Sequence, residues 1–125
     1  MVKHQQQRGK INREGKNKDY QSLRTNPIKI FHQNIRGLRN KTNELYCHLL
    51  QDIPHILCLS EHHLTEPELQ LTHLTNYSLG ASYCRKTFLK GGVSIFVYGN
   101  LKYKAINLDE YNIDKDIEAC AIQLD

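Results

Sequence analysis

The chain has 125 residues, 39% of them hydrophobic, and a formal charge of +4, which allows one modest domain and excludes anything larger. Residues 1–24 hold seven Lys or Arg against two acids, and residues 25–125 hold ten against eleven, so the basic character belongs to a tail and not to the domain. No apolar run approaches the length of about 18 residues that a spanning helix needs, and none follows the first basic residues as a secretion leader would; an intracellular protein without membrane association is expected.

Residues 1–26 form the tail, rich in Gln, Lys, Asn and Arg, with only Val2, Ile11, Tyr20 and Leu23 available for burial up to Arg24. That composition predicts disorder. A mobile polycation can hold phosphates by releasing counterions, which favours nucleic acid as a partner; a solvating leader without a ligand is the alternative reading.

Residues 27–125 read as β-α-β followed by a β-rich half. Ile28 to Gln33 forms a first strand, and Asn34-Ile35-Arg36-Gly37-Leu38 is the loop after it. Asn40 caps a predicted helix over Lys41 to Asp52, whose Tyr46, Leu49, Leu50 and Ile53 recur at helical spacing and form the packing stripe. Pro54 stops that helix, and His55 to Ser60 forms a second strand ending at Glu61. A strand, a crossover helix and a strand within about forty residues predict a parallel pair.

Further along, Thr65-Glu66-Pro67-Glu68 has the pattern of a capping box and starts a short helix over Glu66 to Thr72. Tyr77 to Arg85 and Val93 to Tyr98 are strands of an antiparallel hairpin, with Gly99-Asn100 as the turn after the second. Asp109 to Asp116 is a solvated acidic loop without the spacing of an EF-hand, and Ile117 to Leu124 is a last strand. Cys47, Cys58, Cys84 and Cys120 lack the close pairing of zinc or redox motifs, so buried reduced thiols are expected. A zinc site built from Cys58, His62 and His63 is disfavoured, because Cys58 lies inside a strand whose end carries the histidines.

In an α/β sheet, ligands bind at the carboxyl ends of parallel strands. Asn34 and Glu61 stand at two such ends, and an amide beside a carboxylate begins a hard-cation site. On position alone, Glu61 is also readable as a solvated surface acid and Asn34 as a turn residue ahead of Gly37. His62 and His63 are readable as contacts to phosphate or DNA, but ordinary loop residues are the favoured reading.

Four motifs occur in order: Asn34 to Arg39; Ile53 to Leu64, containing Leu59-Ser60-Glu61; Gly91-Gly92-Val93-Ser94-Ile95-Phe96-Val97; and Ile117-Glu118. Over residues 27–125 this series resembles endonuclease/exonuclease/phosphatase domains, and in detail the apurinic-endonuclease-like domain of non-LTR retrotransposon polyproteins. The resemblance implies a two-sheet α/β sandwich, here its amino-terminal half, with a mixed sheet and one or two helices on its face. It also implies phosphodiester hydrolysis with Mg2+ or Mn2+, Glu61 as the metal ligand, Asn34 orienting that carboxylate and the phosphate, and Tyr83 contacting phosphate. For Tyr83 the other reading is a strand aromatic packed on a neighbour. Arg36 and Arg39 are candidates to meet backbone phosphate of DNA, or to form surface ion pairs.

The family's later Asp-x-Asn and Ser-Asp-His motifs do not occur in this sequence. The chain is therefore expected to be a partial domain with little hydrolysis alone, since losing a positioned base costs about 100- to 10,000-fold. Without a second half, an exposed sheet face should demand a partner. Two functions follow: part of a magnesium-dependent endonuclease, or a non-catalytic fragment that binds nucleic acid or protein.

Overall fold

A computed structural model describes residues 27–125; the tail expected over residues 1–26 lies outside them. The elements in chain order are β1 (Ile30–Asn34), α1 (Thr42–Leu49), β2 (Ile56–Ser60), α2 (Glu66–Gln70), β3 (Tyr77–Tyr83), β4 (Val93–Tyr98), β5 (Tyr103–Ile106), a single 3-10 turn at Asp109–Tyr111, and β6 (Ala121–Leu124). The fold is α/β. Its main sheet has the order β1-β2-β4-β3, and β5 and β6 form a small second sheet.

The main sheet is mixed. β1 and β2 run parallel with Asn34 opposite Ser60, while β4 is antiparallel to both β2 and β3. The parallel pair follows from the crossover through α1, as its short spacing predicts. Alternation then sorts the side chains onto two faces. Leu57, Leu59 and Phe96 face α1, where Leu45 and Leu49 meet them in one core with Leu64, Leu69 and Leu74.

On the opposite face the small sheet packs against β3. Gly80 makes this possible, because a Cβ there would stand 3.0 Å from the Val97 side chain and 3.3 Å from both Ile122 and Tyr103. The register shifts between Leu79 and Ala81, around that same glycine, which is a common place for a bulge. The β1 end of this face is open, with Ile30 66% exposed.

The structure corrects several sequence expectations. Asn40 does not cap α1; its backbone is left-handed at φ +64°, and the helix starts after Lys41 with no side-chain cap. The buried stripe is Leu45 and Leu49, while Leu50 is exposed, because it still follows the helical path and so stands about 100° round the axis from Leu49. α2 is shorter than expected, but its capping box is formed, with Thr65 and Glu68 bonding reciprocally. The last strand begins at Ala121, not Ile117, and β5 was not anticipated. Cys47 is exposed, and Cys58, Cys84 and Cys120 are partly buried and free. Among the described residues, no helix is long and apolar enough to cross a membrane.

Candidate functional site

The site is built at the carboxyl ends of β1 and β2. Asn34 and Ser60 are the last paired residues of the two strands, and the ladder continues as the Ile35 N–H donates to the Ser60 carbonyl at 2.9 Å. One residue further on, Glu61 leaves the strand with a left-handed backbone, φ +55°. Three contacts hold it there. Its N–H donates to the Gly92 carbonyl at 2.7 Å, and its own carbonyl accepts from the Gly37 N–H at 2.7 Å. Its carboxylate Oε2 accepts from Asn34 Nδ2 at 2.7 Å.

Asn34 and Glu61, 27 positions apart in sequence, are therefore brought together as expected. The Glu61 side chain is 45% exposed, with His63 Nε2 3.7 Å from Oε1. His63, favoured as a loop residue in the sequence, stands beside the site. Its backbone is also left-handed, at φ +62°.

His62, between them, is not the ordinary loop residue that was expected. It is fully buried. Its Nδ1 accepts from the Leu64 N–H at 3.0 Å and its Nε2 lies 3.1 Å from the Tyr83 carbonyl. That pattern corresponds to the neutral ring protonated at Nε2, and burial pushes the imidazole below its ordinary pKa. A Cβ on Gly92 would sit 2.5 Å from the His62 ring, and Gly92 has φ +89°. Gly92 is thus what leaves room for the His62 ring next to Glu61. This pairing spans about thirty residues, and no local signal in the sequence marks it.

The other expected site residues lie around this core. Tyr83 shares the cross-strand row, opposite Val93, which is opposite Ser60. It is three strand spacings from Asn34, about 14 Å. Its hydroxyl donates to Asp114 Oδ1 at 2.5 Å; that bond and then burial push the phenol up to about 12. Asp114 also accepts from the N–H groups of Lys86, Thr87 and Phe88. The bond from Tyr83, followed by these, lowers its carboxyl to about 2. Tyr83 therefore ties down the loop after β3. Arg39 pairs with Glu68 of α2. Arg36 is exposed with a left-handed backbone, φ +48°, and its carbonyl accepts from Lys41 Nζ at 3.3 Å.

As a donor set for a cation, the pair offers a half-exposed carboxylate, an amide and a nearby imidazole. Among the described residues there is no cluster of three or more His, Cys, Asp or Glu placed for metal binding. One carboxylate with an amide neighbour is a donor set of the kind magnesium takes, since that ion keeps several waters and needs one or two carboxylates besides substrate phosphate. Against known proteins, the chain matches no family model and no curated sequence.

Proposed function

We propose that this chain carries the metal-anchoring part of a magnesium-dependent phosphodiesterase site that acts on nucleic acid. Glu61 would hold the ion, and Asn34 would fix the rotamer of its carboxylate. The supporting observation is the 2.7 Å bond between Asn34 and Glu61 across the ends of two parallel strands, at a residue whose backbone is left-handed. Strained backbone of this kind collects at functional sites.

Each residue has a stated task. Asn34 and the two backbone bonds of Glu61 orient the carboxylate toward solvent, so a phosphodiester can approach. His63, 3.7 Å from Glu61, would take a phosphate oxygen as a hydrogen-bond donor, and Arg36 would meet the nucleic-acid backbone. Bound magnesium would supply charge neutralisation on the phosphate and the leaving oxygen. No Asp-x-Asn or Ser-Asp-His occurs in the sequence, so no general base is assigned and slow turnover is expected.

The test is conversion of supercoiled plasmid to open circles with magnesium, comparing the chain with Glu61→Ala. Slow nicking that vanishes in the variant supports the proposal. Equal rates, including none from either protein, overturn the hydrolytic reading. A non-catalytic protein-binding role is the second reading, favoured by the exposure of Ile28 and Ile30 beside the open end of the sheet.

A further inference from the structure

Glu118 is the least exposed carboxylate with a fully committed set of partners near the site. Its side chain is 12% exposed and lies against Arg85, with the guanidinium Nε at 2.5 Å from Oε2. Oε2 also accepts from the Lys115 N–H at 2.7 Å, and Oε1 accepts from the Gly92 N–H at 2.9 Å. Burial raises its carboxyl, but the Gly92 and Lys115 N–H groups and then Arg85 outweigh that and hold it below the ordinary carboxylate value. Three donors fill three of the roughly four acceptor positions on its two oxygens, which makes it an anchored anion.

What it anchors is Gly92, the residue whose other side holds Glu61: the bound N–H and the accepting carbonyl lie in consecutive peptide units joined at the Gly92 Cα. The Gly92 N–H is bound by Glu118, and the Gly92 carbonyl accepts the Glu61 N–H at 2.7 Å. Gly92 needs this restraint because a glycine at φ +89° has no side chain to limit its rotation. Release of its N–H would free the Gly91–Gly92 peptide to turn about the Gly92 φ, and the carbonyl on the far side of that Cα would be held less firmly against the Glu61 N–H.

We propose that Glu118 is a positioning residue for Glu61, acting through Gly92; this rests on the reading of Glu61 as a metal ligand. Residues that orient a metal ligand from behind affect ion affinity directly. The Arg85 ion pair holds Glu118 in turn, so the chain of restraint runs Arg85, Glu118, Gly92, Glu61.

The test is a titration of the full chain with Mn2+ alone, followed by electron paramagnetic resonance, on the wild type, Glu61→Gln, Glu118→Gln and Ile56→Val. Glu118→Gln keeps the side-chain volume but replaces one acceptor oxygen by an NH2, so Gly92 and the Arg85 and Lys115 donors can no longer all be satisfied. Expected is an affinity about tenfold below wild type in Glu118→Gln, at the lower end for partners behind a metal ligand, with Ile56→Val, a core trim at the far end of β2, unchanged. The Glu61 amide should also exchange faster with solvent in Glu118→Gln. Unchanged affinity or unchanged amide exchange in Glu118→Gln, while Glu61→Gln loses the ion, overturns the proposal alone. An equal loss in Ile56→Val also overturns it. Wild type binding no better than Glu61→Gln overturns both the proposal and the reading beneath it.

Discussion

Glu61 adopts φ +55°, a conformation that costs a residue with a Cβ about 1–2 kcal/mol. Glycine would occupy it without that cost, so Glu61→Gly should raise stability in a denaturant melt by about 1 kcal/mol while abolishing divalent-ion binding. A fall in stability would show that the side chain contributes more to the fold than its geometry implies. Asn34 and Glu61 could be found from the sequence because each stands at the exit of a predicted strand, and ligands gather at the carboxyl ends of parallel strands. The left-handed turn was hidden, since nothing in residue type marks a glutamate for that region. The burial of His62 was equally hidden, because the space it fills is left by Gly92, which lies far along the chain.

The loops around β4 depend on single atoms. Gly92→Ala would drive a Cβ to 2.5 Å from the His62 ring at φ +89°, and the clash plus backbone strain should cost about 3 kcal/mol. A melt unchanged from wild type would mean that His62 moves freely. Asp114 gives a pH signature. Its carboxyl titrates at about 2 in the fold against 3.8 ordinarily, so its stabilisation is fully present above the ordinary value and is lost as pH falls toward 2. Wild type should therefore melt above Asp114→Asn near neutral pH, with the gap closing between about pH 4 and pH 2; a gap that persists at pH 2 contradicts the clasp. The β-α-β unit and the capping box of α2 were readable from periodicity and from Thr65 and Glu68. β5 was not, because its four residues Tyr103–Ile106 have three exposed side chains and give no alternating signal. The start of α1 slipped because Asn40 took a left-handed turn in place of a cap.

At the scale of the whole chain, charge and apolar exposure are separated. Residues 1–24 hold seven cations against two acids, while the rest is nearly balanced. Binding to duplex DNA should therefore weaken steeply with salt and drop when residues 1–24 are deleted, read by gel shift; an unchanged shift would place the contacts on the domain. The α/β class was legible in the order of the motifs, but the open face at Ile30 depends on where the small sheet lands, which Gly80 decides by contact. The proposed function requires that Glu61, oriented by Asn34, holds a divalent ion. Its most direct test is a map of amide broadening by substoichiometric Mn2+ in an NMR spectrum of the full chain. Broadening centred on residues 34–36 and 61–63 that disappears in Glu61→Gln is predicted. Broadening centred elsewhere, or the same in the variant, would contradict it.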